Sequence, residues 1–111
     1  MAVKRGDIVV AAARGAFSGK PRPALVVQTD TLNPVHTSII IAPITTEQRD
    51  FYPFRIKVDP TAANGLRHPS DIMLDKLFSV PRDNIAAVIG TLEREQLDDV
   101  NRSLLLVLGL V

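Results

Sequence analysis

The sequence predicts a mainly β (α+β) fold, in which a small antiparallel β-barrel is followed by a C-terminal α-helix. Between residues 6 and 89, short apolar or alternating segments are separated by loops rich in Gly, Pro, Asn and Ser, a pattern typical of strands joined by turns. After Gly90 the apolar residues recur at intervals of three and four instead, which indicates a helix. A chain of 111 residues suits one domain, and we expect a single domain over residues 1–111.

Three strands are predicted in the first half of the chain. The first spans residues 6–13, where Asp7 leads into Ile-Val-Val, the second spans residues 22–28, and the third spans residues 37–44. Runs of apolar residues in the second and third strands indicate segments that are buried. Loops of Gly, Ser, Pro and Asn separate these strands.

The remaining strands are predicted at residues 54–58, 70–74, 77–80 and 84–89. Apolar and charged side chains alternate in the first of these, so one of its faces should meet solvent. A long loop containing the turn dipeptide Asn64-Gly65 follows it. The next two strands are short and close together, and we expect them to form one bent ribbon.

The C-terminal helix is predicted from the spacing of four apolar residues, Leu97, Val100, Leu104 and Leu108. Acidic residues are concentrated in its first turns, and neither Pro nor Gly interrupts it before Gly109. Negative charge near the start of a helix stabilises it through the helix dipole.

The composition excludes several classes of protein. Apolar residues make up 46% of the chain and charged residues 23%, as in ordinary globular proteins. Because there is no cysteine, disulfides, thiolate metal sites and cysteine nucleophiles are excluded. We find no signal-peptide pattern, and the most apolar run, residues 104–111, is far shorter than the roughly 20 residues that span a bilayer. We therefore expect a cytoplasmic protein without a membrane segment.

Charge is distributed unevenly along the chain. Residues 1–57 carry eight Lys and Arg against four acidic residues, a net charge of +4, whereas residues 58–111 carry five against eight, a net charge of −3. A basic N-terminal half is compatible with a site for a polyanion. Solvated charges scattered over the surface are the simpler alternative.

The two histidines, His36 and His68, both fall in predicted loops. A histidine pair could act as general acid and base in RNA cleavage, but isolated loop histidines are more often solvated. No cluster of His, Asp and Glu has the spacing of metal ligands, and no glycine-rich phosphate loop precedes a helix. We therefore expect neither a metal nor another cofactor.

Arg22 is the first candidate for a functional residue. Prolines on both sides of it restrict the backbone and direct the side chain, and Lys20, two residues earlier, should face the same way. The guanidinium could pair with Asp7 or Asp75 or extend into solvent. It could also bind a phosphate, for which its planar fork is well suited.

The segment after the third predicted strand is the second candidate. The hydroxyls of Thr45 and Thr46 could cap the backbone or donate to a phosphate oxygen, and Gln48 and Arg49 could contact bases or phosphates. Phe17 lies in the first loop, where an exposed ring beside cations would stack on unpaired bases. Arg22 and Thr45 would share one groove if the second and third strands are neighbours.

Six segments of the chain resemble the MazF/PemK-like toxins of type II toxin–antitoxin systems, to which CcdB-type toxins are structurally related. In chain order they read RGDIV, GKPRPALVVQTD, IAPITTEQ, YPFRIKV, IMLDKLFSV and IGTLEREQLDDVNRSLLLVLGL. The resemblance implies an SH3-like (CcdB-like) barrel, a homodimer and a cognate antitoxin partner. It also implies a metal-independent, sequence-specific endoribonuclease that cleaves single-stranded RNA such as mRNA, leaves a 2′,3′-cyclic phosphate and inhibits translation and growth.

The resemblance assigns catalytic roles to Arg22, Thr45 and Asp75, the last as a base. RNA-binding roles fall on their neighbours: Lys20, Phe17, Thr46, Gln48 and Arg49. The chain departs from the family before the Arg-Pro pair, where residues 15–20 contain neither the acid nor the histidine of many relatives. It also has Met73 in place of an arginine of PemK-type toxins, and Lys76 where glutamine is common.

Two other functions stay open at this stage. CcdB-type toxins poison DNA gyrase through a C-terminal Trp-Gly-Ile, whereas this chain ends Leu-Gly-Leu-Val, without the tryptophan. A nucleic-acid-binding relative that lacks catalysis is the second alternative, because the general base is not evident.

Overall fold

A computed structural model describes residues 2–12 and 20–111. Within these ranges the chain forms seven strands and one α-helix. The strands are β1 (Asp7–Ala11), β2 (Arg22–Val26), β3 (Ser38–Thr45), β4 (Arg55–Val58), β5 (Ser70–Met73), β6 (Phe78–Pro81) and β7 (Ile85–Thr91), and the helix is α1 (Arg94–Val107). Single 3-10 turns at Leu74–Lys76 and Arg82–Asn84 separate β5, β6 and β7.

The strands form one antiparallel sheet in the order β4-β5-β3-β2-β1-β7, and β6 also pairs with β3. The predicted fold class, antiparallel β structure with a C-terminal helix, is therefore confirmed. β5 pairs with the end of β3 at Ile44 and Thr45, whereas β6 pairs with its beginning at residues 38–41. The predicted bent ribbon thus exists, and the 3-10 turn at Leu74–Lys76 forms its bend.

We expected the strands to close on themselves, but β4 and β7 at the two ends of the sheet are not hydrogen-bonded to each other. The loop at residues 59–69 covers the free edge of β7 instead, and the Thr91 N–H donates to the Ala63 carbonyl at 2.9 Å. Gly65 turns this loop with φ +71°, a conformation that favours glycine. A loop therefore lies at the edge of β7, where we expected the strands to close on themselves.

Helix α1 covers one face of the sheet. Val100 is completely buried against a cluster that includes Ile8, Leu25, Ile44 and Ile72. These side chains alternate with residues of the opposite sheet face, because successive side chains of a strand point to opposite faces.

The predicted spacing of apolar residues in α1 is largely confirmed. Leu97 and Leu104 pack on the core beside Val100, whereas the helix ends at Val107 and leaves Leu108 exposed. No helix within the described residues is long and apolar enough to cross a membrane.

A second apolar cluster occupies the opposite face of the sheet. It is built around Val9, Ala24, Val26, Ile39 and Ile41. β2 and β3 therefore have buried side chains on both faces, as their apolar runs predict, although Arg22 of β2 and Ile40 of β3 are exposed. The part of this face nearest the end of β3 is not filled, and it forms the floor of the cavity described below.

We expect Gly90→Ala to lower the free energy of unfolding by about 1–3 kcal/mol, the usual cost of overpacking. A Cβ atom at this position would lie 2.4 Å from the Ala63 carbonyl oxygen, and a backbone atom cannot rotate away. Urea denaturation measures the effect. Ala86→Ser, at an exposed position of the same strand, is the control and should change stability by less than about 0.5 kcal/mol; an unchanged urea midpoint for Gly90→Ala would contradict the close approach of the loop.

Candidate active site

A cavity of about 520 Å³ lies at the end of β3, between β2 and the bend that joins β5 to β6. Its floor is apolar and includes Ala24, Ile41 and Pro43. Three of its other lining residues carry positive charge and one carries a hydroxyl: Lys20, Arg22, Lys76 and Thr45. Arg22 and Thr45, the candidates from two separate sequence segments, thus line one cavity.

The pairing of β2 with β3 explains why Arg22 and Thr45 share this cavity. Ala24 is the cross-strand partner of Pro43. Arg22 lies two residues before Ala24 in β2, and Thr45 lies two residues after Pro43 in β3. Because the strands are antiparallel, both residues lie on the same side of the Ala24–Pro43 pair. Side chains two residues apart lie on the same face of a strand, so both side chains lie on the face of Ala24 and Pro43.

The charge of the cavity is entirely positive among its described lining residues. Within residues 2–12 and 20–111, Arg22 forms no ion pair. The alternative pairings with Asp7 and Asp75 are thus absent from these ranges, and the Asp7 carboxylate accepts the Lys4 N–H at 2.8 Å. Cations above an apolar floor, without a carboxylate among them, are chemically suited to binding an anion.

The Thr45 hydroxyl can cap the backbone and donate to an anion at the same time. Its hydroxyl oxygen accepts the Glu47 N–H at 3.1 Å, which fixes the turn after β3. A hydroxyl has one donor hydrogen in addition to its acceptor capacity. The O–H of Thr45 is therefore available to donate to an anion in the cavity.

The third predicted catalytic residue, Asp75, lies in the exposed 3-10 turn between β5 and β6. It does not line the cavity, whereas the next residue, Lys76, does. His36 and His68 are exposed and also lie outside the cavity lining. Within the described ranges, no three His, Asp or Glu side chains lie together in an arrangement that could hold a metal ion.

The predicted RNA-binding residues Thr46, Gln48 and Arg49 lie in one exposed loop, residues 46–51, next to the cavity. The Gln48 side-chain amide donates to the Ser70 carbonyl at 3.2 Å. The Arg49 guanidinium contacts Glu47 at 3.1 Å in an exposed ion pair, which contributes little to stability. Phe17, the remaining candidate, lies outside the described residues.

Asp71 is a charged residue at the site that the sequence did not indicate. Its side chain on β5 is fully buried, and it lies between Thr45 of β3 and Lys57 of β4 in the strand register. Its Oδ2 atom accepts the Arg49 N–H at 2.8 Å and an N–H of Arg55 at 3.1 Å. The alternation in β4 placed Arg55 and Lys57 on one face, but only strand pairing places a carboxylate beneath them.

The pKa of the Asp71 carboxyl is lowered from its ordinary value of 3.8. Burial by itself raises this pKa, because it disfavours the charged form. The hydrogen bonds from the Arg49 N–H and the Arg55 side chain, together with the charges of Lys57 and Arg55, outweigh burial. Asp71 is therefore an anion in the folded protein at neutral pH.

The fold and the cavity define a class of protein: a small antiparallel sheet, covered by one helix, that presents an anion-binding cavity at a strand end. The family described as PemK-like, MazF-like toxin of type II toxin-antitoxin system matches residues 4–108. The chain belongs to this family.

Individual relatives agree with this assignment. The chain is 41% identical over 108 residues to the probable endoribonuclease MazF of Mycolicibacterium smegmatis, covering 97% of this chain and 98% of that protein. The solved structure of the Mycobacterium tuberculosis toxin MazF-mt6 has a TM-score of 0.80 and 27% identity, covering 93% of this chain and 96% of the other. A solved mycobacterial endoribonuclease in complex with its cognate antitoxin has the same fold, with a TM-score of 0.83 and 20% identity over 99% of this chain and 98% of that chain.

We expect Asp71→Asn to lower the free energy of unfolding by about 1.5–3 kcal/mol near neutral pH, because hydrogen bonds to a charged group contribute this much. The folded pKa is lowered, so the stabilisation is present above the ordinary pKa of 3.8 and is lost as the pH falls through the folded value. The difference between wild type and variant, measured by urea denaturation at a series of pH values, should therefore shrink below pH 3.8.

The control for this measurement is Asp83→Asn, which removes an exposed carboxylate. It should change the free energy of unfolding by less than about 0.5 kcal/mol at neutral pH. A difference between wild type and Asp71→Asn that grows on acidification would contradict the ionised state of Asp71.

Proposed function

We propose that the protein is the toxin of a type II toxin–antitoxin system and acts as a metal-independent, sequence-specific endoribonuclease on single-stranded RNA. The observation that carries this proposal is the cavity that Lys20, Arg22, Lys76 and Thr45 line together. Its charge and its donors suit a phosphodiester of the RNA backbone. Family membership supports the same function, as does 41% identity to a probable endoribonuclease over nearly the whole chain.

The proposed reaction is an internal transfer at phosphorus. The ribose 2′-oxygen attacks the adjacent phosphate, the bond from phosphorus to the 5′-oxygen breaks, and the products are a 2′,3′-cyclic phosphate and a 5′-hydroxyl. The proton of the 2′-hydroxyl goes to a base, and the leaving 5′-oxygen takes up a proton from water. Negative charge accumulates on the phosphate oxygens in the transition state, so fixed donors aimed at those oxygens accelerate the reaction.

Arg22 stabilises the charge that develops on the phosphate. Because a guanidinium carries a permanent positive charge, Arg22 acts as an electrostatic clamp rather than as a proton donor. The Thr45 hydroxyl donates to a second phosphate oxygen. Lys20 and Lys76 contact the phosphates on either side of the cleaved one.

We assign the role of base to Asp75 on the family resemblance. It lies next in sequence to Lys76, which lines the cavity, and the proposal requires bound RNA to bring the 2′-hydroxyl to it. Thr46, Gln48 and Arg49 then read the neighbouring bases, together with Phe17. The protein acts on mRNA in the cytoplasm, as a single domain and as a homodimer, and an antitoxin with an acidic segment restrains it by occupying the cationic cavity.

We expect the protein to cleave single-stranded RNA in the presence of EDTA, and Arg22→Ala to lower kcat by about 10²–10³-fold, the typical cost of removing one transition-state donor. Arg22→Lys keeps the charge but loses the fork of donors, so its activity should be intermediate. Cleavage of a labelled RNA, followed on denaturing gels, measures the rates. Resistance of the new end to phosphatase identifies the cyclic phosphate.

The matched control is Arg67→Ala, which removes an exposed cation in the loop at residues 59–69 and should leave kcat unchanged. Intact RNA at high protein concentration would overturn the proposed function. DNA breaks that depend on gyrase would support the CcdB-like alternative instead.

Lys76→Ala should weaken RNA binding and reduce its salt dependence. Each phosphate contact to a single strand contributes about 0.7 to the slope of log K against log salt concentration, so the variant's slope should be smaller by about this amount. Fluorescence anisotropy at several salt concentrations measures it. An unchanged slope would show that Lys76 makes no phosphate contact.

A further inference from the structure

The loop at residues 46–51 is held by the interior of the sheet and by the neighbouring strands. The Arg49 N–H donates to the buried Asp71 carboxylate at 2.8 Å. The Arg55 guanidinium donates to the Glu47 carbonyl at 3.0 Å, and the Lys57 ammonium donates to the Arg49 carbonyl at 3.3 Å. A loop whose backbone is bonded at several points has one preferred conformation, although its side chains are exposed.

Asp71 is the centre of these contacts. Arg55 and Lys57, the two residues that bind the loop carbonyls, are both attracted to its carboxylate, at 3.1 and 3.6 Å. Asp71 thus holds the loop directly through Arg49 and indirectly through two cations.

A buried carboxylate contributes little net stability to a sheet, because its desolvation offsets much of the attraction to its partners. One oxygen of Asp71, Oδ1, is buried and has no hydrogen-bond partner among the described residues. Replacing a buried ion pair by well-packed apolar side chains is often neutral or stabilising. Stability alone therefore does not account for this charge, and its contacts lead to the loop.

The same group of residues reaches the cavity. Asp71 is the cross-strand neighbour of Thr45, and a guanidinium N–H of Arg55 lies 3.3 Å from the sulfur of Met73, which lines the cavity. The strand register thus places the carboxylate that binds the loop beside the strand position of Thr45, so the loop has a defined place relative to the cavity.

We propose that Asp71 is a positioning residue that determines sequence specificity. It holds residues 46–51 in the conformation that presents Thr46, Gln48 and Arg49 to the bases beside the cleaved phosphate. This inference rests on the proposed ribonuclease function. It places Asp71 outside the chemical step, since its carboxylate is fully buried and does not line the cavity.

Two variants test the proposal. Asp71→Asn keeps an acceptor for the Arg49 N–H but removes the charge that attracts Arg55 and Lys57. Lys57→Met removes one contact to the loop at a side chain that is 55% exposed, so it leaves the fold intact even if Asp71→Asn fails to fold. Arg67→Met is the control, because it removes an exposed cation that contacts neither the loop nor Asp71.

Hydrogen exchange and RNA cleavage are measured on the same preparations. In Asp71→Asn we expect amides of residues 46–51 to exchange about tenfold faster or more, as the loss of bonds to a charged group implies. KM for RNA should rise and the preference among cleavage sites on a long mRNA should fall by similar factors, while kcat stays within about threefold because transition-state contacts are unchanged. Lys57→Met should show the same pattern more weakly, and Arg67→Met should show neither faster exchange nor altered preference.

The outcomes separate this inference from the proposed function. Wild-type protein that neither cleaves RNA nor binds a non-cleavable 2′-O-methyl RNA would overturn both. If wild type cleaves, any of three results overturns the positioning role. The first two are site preference that is unchanged despite faster exchange of the loop, and exchange that is unchanged in both variants. A fall in kcat at constant KM would also overturn it, because Asp71 would then act on the chemical step.

Discussion

The register of β3 against its neighbours is the constraint on which the rest of the structure depends. β3 pairs with β2 on one side and with both β5 and β6 on the other. The first pairing places Arg22 and Thr45 on one face, and the second places Thr45 beside Asp71. Since a shift of one residue would move every side chain to the opposite face, the cavity and the apolar core are defined by the same set of hydrogen bonds.

The cationic residues near the end of β3 form two groups, which differ in whether a buried carboxylate lies next to them. Arg55 and Lys57 lie over the buried carboxylate of Asp71, so their charge is used to hold the chain. Lys20, Arg22 and Lys76 surround the cavity without a carboxylate among its described lining residues. The first group gives the surface a defined shape, and the second gives it affinity for an anion. Both are needed if a flexible polyanion such as RNA is to be bound at one phosphate.

The secondary structure and part of the site could be predicted because they follow from local patterns. Alternation and apolar runs located the strands, spacing of three and four located the helix, and an arginine between prolines indicated Arg22. The closure of the sheet could not be predicted, since it depends on contact between Gly90 and a loop more than 20 residues earlier. Asp71 was missed for the same reason: a single acidic residue in a short strand has no distinguishing pattern until its cross-strand partners are known.

The sequence by itself determined the class of fold, the family and the chemical character of the site, because composition, periodicity and motif order do not require knowledge of distances. Only the tertiary structure decided which charged residues act together. Arg22, Thr45 and Lys76 come from three segments and meet in one cavity, whereas Asp75, next to Lys76 in sequence, lies outside its lining. Antiparallel pairing joins residues that are far apart in the chain, and burial then decides which of the charges are neutralised by a partner and which are available to bind a ligand.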